Sequence, residues 1–354
     1  MSFPPLTRNH VLNCAFQSWY PHFKQVSLKS EIISLPAEFV HYLNEDGVFL
    51  PLDCNGLPQP SYETSKDEAE PEDADSDAGD AETEDEQHWA KNKIPSFPAL
   101  QAKIEEKIAS LGGSVFPKLN WSSPKDASWM ALGQTLECKT PADIFLLLKS
   151  SDFVSHDLTC PFEGCEEMVE DGAEFWLQPL PATGYKLVLR KWYDLHPSME
   201  FRCFAKDGVL VGISQRDYLN HYPFLANTRL TIEAAIHDFY KNEIHGKFEN
   251  SSYVFDAYMN RNTRKLYLID FNPFSATTDS LLFDWDEILS FDTTKNEVGL
   301  GLRVVASAGE AGQLQQPMYA TNRMPKDAID ISDGQTLAEF AQQWAEQMAQ
   351  SLVE

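Results

Sequence analysis

Apolar positions along this 354-residue chain fall into stretches of helical spacing and of strand spacing, and their alternation outlines the fold. Residues 9–20 place Val11, Leu12, Ala15, Phe16 and Trp19 at helical intervals, with Pro21 as the stop. So heavy a stripe on a short helix docks on the body or faces a partner. Residues 27–53 read as strand and short helix around Ile32–Leu35 and Val48–Leu52. Leu100, Ile104, Ile108 and Leu111 form one face of a helix closed by Gly112-Gly113. A strand, SVFPKLNW, and a polar loop, SSPKDASW, follow. Thr140-Pro141-Ala142-Asp143 then opens an apolar helix with a capping box. Residues 155–182, rich in Pro, Gly and Glu, read as irregular loop.

At 183 the texture changes. LVLRKWYDL, EFRCFAKDGVLVGIS and YVFDAYMNRNTRKLYLIDF make about five consecutive strands, the middle pair turning at Lys206-Asp207-Gly208. Between them Thr231 caps a helix whose stripe is Ile232, Ala235, Ile236, Phe239 and Tyr240. Residues 303–334 are weakly patterned. Thr336 caps a final amphipathic helix through Leu337, Phe340, Trp344, Met348 and Leu352. Helices on an antiparallel sheet make the fold class α+β.

Charge changes the picture in one place. Acidic residues outnumber basic ones 54 to 28, for a net charge of −26, and twelve of those acids fall in residues 67–86. That segment has too little apolar surface to offset its ordering entropy and reads as a disordered acidic loop. The balance argues against nucleic-acid and anionic-membrane surfaces, so any nucleotide must be gripped by a local cluster of Lys and Arg. The N-terminus lacks a secretory pattern, no apolar run is long enough to span a bilayer, and six scattered cysteines fit a reducing, cytoplasmic setting. His156, Cys160 and Cys165 lie close enough to suggest zinc, but no second pair completes four ligands, and an ordinary loop is the other reading.

Candidate chemistry centres on residues 253–274. If the hairpin turns near Thr263, Asp256 lies opposite Asp270, and alternation puts Asp256, Asp270 and Asn272 on one face. Two facing carboxylates repel unless a cation lies between them, and hard oxygen ligands suit Mg²⁺ with nucleotide phosphates. A half-buried hairpin with acids on its wet face is the alternative. Lys118, on an apolar strand, needs an anionic partner or a path to water. Arg190 and Lys191 interrupt a buried strand before Trp192, which fits an adenine-binding segment or an exposed basic pair. Arg202 shares a face with Glu200. No P-loop or dinucleotide fingerprint occurs. The order Lys118, Asp217, Asp270-Phe-Asn272 is similar to that of protein kinases, yet QRDYLNHY has no Asn five residues after its Asp.

SLGGSVFPKLNWSSPKDASWM, CKTPADIFLLLKSSDF, LVLRKW, EFRCF, GISQRDY and LYLIDFNPF with TDSLLFDWDE resemble the eukaryotic cell-division-cycle protein 123 family, over about residues 9–55 and 94–292. The resemblance implies an ATP-grasp-like fold of two lobes with mainly antiparallel sheets and packed helices. The lobes would be residues 1–180, with the acidic loop at 66–88, and 181–300; a tail and helix, 301–354, would follow. It implies ATP and Mg²⁺ as cofactors, held between the lobes. It implies binding to the gamma subunit of eukaryotic translation initiation factor two, promoting assembly of that heterotrimer and so translation initiation and cell-cycle progression. By motif, Lys118 and Trp121 would lie near the phosphates and base, Ala127 in the covering loop, and Lys139 within reach of the nucleotide. Arg190, Lys191, Trp192 and Leu195 would form the hinge around the adenine. Arg202 and Asp217 would face the phosphates and the ribose or metal region. Asp256, Asp270 and Asn272 would ligate Mg²⁺. The competing reading is an ATP-grasp ligase or kinase-like enzyme modifying a protein. The sequence offers no acceptor site for that chemistry, and its covering loop is poor in glycine.

Overall fold

The computed structural model describes residues 2–51, 95–131, 133–166, 180–295 and 299–313. The first helical stretch forms two helices, α1 (Arg8–Cys14) and α2 (Phe16–Phe23). The break comes at Ala15, whose ψ of 135° is extended, and Pro21 lies inside α2 instead of ending it. The break lets the Phe16 N–H donate to the Asn120 carbonyl at 2.7 Å, so α2 turns across the body. Phe16, Trp19, Tyr20 and Phe23 are thereby buried in the main core, as a docked helix requires.

The next elements are β1 (Ser30–Ser34), α3 (Ala37–Asn44), α4 (Pro98–Leu111) and β2 (Val115–Lys118). Gly112 ends α4 in the left-handed region, φ 103°, where a residue without Cβ meets no steric cost. In α5 (Pro141–Lys149), Thr140 and Asp143 close both halves of the expected capping box. A short helix, α6 (Asp152–Thr159), stands where the sequence suggested loop. Ser151 caps it by accepting from the Val154 N–H, but its buried stripe is only Val154, Asp157 and Leu158. Two apolar residues and an acid do not announce a helix by periodicity.

β3 (Lys186–Lys191) runs between β1 and β2, antiparallel to both. Leu187 and Leu189 point into a core filled from Ile33, Phe39, Ile104, Val115 and Phe145. Lys118, Val188 and Ile32 share a register position across the sheet, as do Phe116, Arg190 and Ser30. These six residues make its opposite face.

That face meets a second sheet of β4 (Glu200–Lys206), β5 (Val209–Gln215), β6 (Tyr253–Met259), β7 (Leu266–Pro273) and β8 (Leu302–Arg303). The strand order is β7-β6-β4-β5-β8, antiparallel except for the β5–β8 pair. α7 (Pro223–Phe239) and α2 cover one face of it through Ile232, Ile236, Phe201, Phe255 and Phe271. α7 starts at Pro223, well before Thr231. Exposed Leu230 interrupts its apolar stripe and makes the helix look shorter than it is. The other face packs Phe204, Val211, Val254, Phe274 and Phe283 against α8 (Trp285–Ser290). α9 (Ala308–Gln313) follows β8. The acidic segment at 66–88 and the terminal helix expected from Thr336 lie outside the described residues. No described helix is long and apolar enough to cross a membrane.

Candidate functional site

The β6–β7 hairpin pairs Asp256 directly with Asp270. Strict alternation would not have put Asp270 on the polar face. Leu266, Leu268 and Phe271 all belong to the main core, which requires one extra residue between Leu268 and Phe271. The ladder supplies it: Ala257 pairs with Leu268, and Ile269 is bulged out. The bulge carries Asp270 and Asn272 to the face that bears Asp256. It also frees the Ile269 carbonyl to accept from Arg190 Nη2 at 2.6 Å.

A second tie joins the two sheets. Lys118 Nζ donates to Asp270 Oδ2 at 2.5 Å. Lys118 is 1% exposed and Arg190 7%, so two full charges lie where water hardly reaches. Burial lowers the pKa of both, partly offset by Asp270. Phe16 supports them from beneath, its ring centre 5.4 Å from Lys118 Nζ and 5.1 Å from the Arg190 guanidinium. Three polar atoms here are buried without a hydrogen-bond partner among the described residues: Asp270 Oδ1, Asn272 Nδ2 and Arg190 Nε. Buried polar groups are normally satisfied, so these three, on strands that face each other from the two sheets, leave hydrogen-bonding capacity that a ligand or water could take up.

Asp256 is different, because both of its oxygens are taken. Arg202 reaches it bidentately, Nε to Oδ1 at 2.8 Å and Nη2 to Oδ2 at 2.9 Å, and Arg216 Nε adds a bond to Oδ2 at 3.1 Å. Burial alone would raise this carboxyl; the two guanidiniums outweigh it and hold the group well below the usual carboxylate range.

Between the sheets opens a cleft of about 210 Å³, lined among others by Lys118, Lys125, Arg190, Lys191, Arg216 and Asp270. In a chain of net charge −26, that is the local cluster of cations an anionic ligand demands. The loop after β2 reaches it because two acids pin the loop. Asp157 accepts from the Trp121 and Ser122 N–H groups and the Ser122 hydroxyl. Asp126 accepts from the Ser151 hydroxyl and the Asp152 and Phe153 N–H groups. Ser123 and Lys125, held between these anchors, line the cleft. Lys125 is exposed to solvent at the mouth; the nearby Arg216 charge, and then the protein around its ammonium, lower it to about 8.

Of the residues singled out from sequence, Lys118, Arg190, Lys191, Trp192, Leu195, Asp256 and Asp270 line this cleft. Asn272 stands beside Asp270 on β7, and Arg202 lies behind Asp256. Lys191 and Trp192 already give their N–H groups to the Lys29 and Ser114 carbonyls, so their backbone would offer a ligand carbonyl oxygens and not these N–H groups. Four residues are engaged elsewhere. Trp121 donates from its ring to the Val11 carbonyl, tying α1 to the loop. Ala127 is fully buried in the core of the three-stranded sheet. Lys139 is exposed beside Glu137. Asp217 accepts from Asn220 and from the Tyr222 hydroxyl. His156 lies 3.0 Å from Glu163, and no metal-binding cluster of His, Cys, Asp and Glu occurs among the described residues.

Sequence reasoning passed over Lys125, Arg216 and Glu200 as cleft residues. Arg216 was within reach of it. The Arg216 N–H bonds to the Glu200 carbonyl, and Arg202 pairs with Ser214, so Arg216 shares the face of Arg202. A bulge at Val211 shifts that hairpin register from the one its turn suggests.

Comparison with known proteins identifies the family. The D123 family model matches residues 19–332. The chain is 40% identical to the "Translation initiation factor eIF2 assembly protein" of Xenopus tropicalis, over 93% of this chain and 94% of that protein. It is 37% identical to the "Cell division cycle protein 123" of Aspergillus terreus, over 95% and 75% respectively. The solved structure of Cdc123 from Schizosaccharomyces pombe superposes with a TM-score of 0.65 at 32% identity, covering 86% of this chain and 100% of that one. With most of its length matched and its mixed α+β sheets shared with a solved relative, the chain belongs to the D123 family, that of the cell-division-cycle protein 123.

Proposed function

We propose that the chain is an ATP- and Mg²⁺-binding chaperone for assembly of eukaryotic translation initiation factor two, acting on its gamma subunit and using an ATP-grasp-like cleft. The observation that carries the nucleotide half is the orphaned Asp270 Oδ1 beside buried Lys118 and Arg190. An anionic ligand with its own divalent cation answers both needs, because phosphate oxygens take the unspent donors and the metal takes the carboxylate oxygen. Asp270 and Asn272 would hold the metal, with Asp256 as the further acid on the ladder. Lys118, Lys125, Arg190 and Arg216 would take the phosphates. Leu28, Ile269 and the 191–195 segment supply an apolar wall and backbone groups for a base. The metal, when bound, would neutralise phosphate charge and fix phosphate orientation. The residues bridging the two sheets would then be drawn together by one ligand, giving a partner a rigid surface.

The assembly half rests on the names of the relatives that the chain matches along most of its length. Co-purification tests it: the chain should retain the gamma subunit with ATP and Mg²⁺ present and less of it after EDTA. Equal retention under both conditions would contradict nucleotide-dependent assembly. A ligase or kinase would release ADP or AMP and leave mass on the partner, whereas the chaperone retains ATP unchanged.

Lys125 gives this reading a pH signature. Its ammonium, near 8 in the free chain, rises on meeting an anion. Below about pH 8 the group is charged in both states and affinity is level. Above it, binding must take up a proton, and affinity falls by up to about tenfold per pH unit. ATP titrations at about pH 7 and about pH 9 should show the fall in the native chain and its absence in Lys125→Met.

A further inference from the structure

Arg202 and Arg216 hold the same carboxylate but are not held alike. Arg202 is 6% exposed and uses three donors, the third being Nη1 to the Asp279 carbonyl at 2.9 Å. Arg216 reaches Asp256 through Nε alone, lies 4.0 Å from Glu200, and lines the open cleft. Lys125 stands nearby and repels it. Across the ladder, Asp270 Oδ1 has no partner among the described residues. One member of the acid pair is thus half open, while the other is gripped at both oxygens by Arg202 and closed on the cleft side by Arg216 at Oδ2.

We infer that Arg216 is an exchangeable counter-ion that makes metal binding at the Asp256–Asp270 pair depend on an incoming triphosphate. This rests on the nucleotide reading above. Without a polyphosphate, a divalent cation that took Asp256 Oδ2 would leave Arg216 near Lys125 with only the looser Glu200, 4.0 Å away, as a neighbouring acid, so the metal alone binds poorly. A triphosphate offers Arg216 new acceptor oxygens. The guanidinium turns to the phosphates, and Asp256 Oδ2, which still accepts from Arg202 Nη2, has its other lone pair opened to the metal. Arg202 stays, since its third bond and its burial fix it. The site therefore discriminates against free cations and against metal-free nucleotide.

The test measures Mn²⁺, standing in for Mg²⁺, by paramagnetic resonance on the full chain without nucleotide, and Mg·ATP by calorimetry. Arg216→Gln should strengthen binding of Mn²⁺ alone by about tenfold, within the usual range of coupling between sites, while weakening Mg·ATP. Unchanged affinity for Mn²⁺ alone in this variant, with Mg·ATP binding intact in the native chain, would overturn the exchange. Failure of the native chain to bind Mg·ATP would overturn the nucleotide reading itself. If Arg216→Gln does not fold, Arg216→Met, of similar length and uncharged, carries the same measurement.

Discussion

Asp256→Ala is expected to lower the free energy of unfolding by about 3–5 kcal/mol, because it strands a buried guanidinium without its acid. Arg202 is 6% exposed, and the acid takes up two of its three bonded donors. Arg216 loses its close acid as well, with Glu200 left at 4.0 Å. The loss lies on β6, which is paired on both sides, with β4 and β7, so it cannot be relieved by fraying of an edge strand. Its pH dependence has a definite sign. The folded carboxyl is held below its ordinary value of 3.8, so its contribution is complete above that value and is lost as pH falls through the folded one. Denaturant unfolding at neutral pH should show the full difference between native chain and variant. A difference within about 0.5 kcal/mol would mean that the triad is not the sheet's electrostatic core.

Asp270→Ala should reduce Mg²⁺-dependent ATP affinity by about 100-fold or more, the upper range seen even for groups one step removed from a metal. Removing one acid from the polar face of a hairpin would by itself leave the fold largely untouched. The structure adds a cost, because Asp270 is the acid that Lys118 donates to. The cost is bounded, since burial already lowers the Lys118 pKa and the amine can shed its proton. Asp270→Asn keeps an acceptor for Lys118 while removing the charge, and it separates the two effects. It should recover much of the stability and little of the nucleotide binding. Calorimetry and thermal unfolding on both variants check this; ATP affinity unchanged in either variant would remove Asp270 from the site.

Much of this arrangement could be read from the chain because it rests on local signals. Gly112-Gly113, the Thr140–Asp143 capping box and the facing of Asp256 and Asp270 across one turn all depend on a few neighbouring residues. What could not be read depends on register or on distant partners. The bulge at Ile269 decides which way Asp270 points, yet nothing in LYLID marks it. β3 follows the pattern of the strands after it in sequence but pairs with β1 and β2, since its alternation has apolar residues to satisfy on both sides. Lys125 has an unremarkable sequence setting, and only Asp126 and Asp157, each bonded far along the chain, fix its loop at the cleft. Trp121 and Ala127 drew notice within a motif, and both hold the fold instead of lining the cleft.

The most direct measurement is calorimetric titration of the purified full chain with ATP in the presence of Mg²⁺ and again in EDTA. Saturable binding of one ATP per chain that depends on the metal is the expected result. No binding at millimolar ATP, or binding indifferent to the metal, would contradict a site built from Asp270, Lys118 and Arg190.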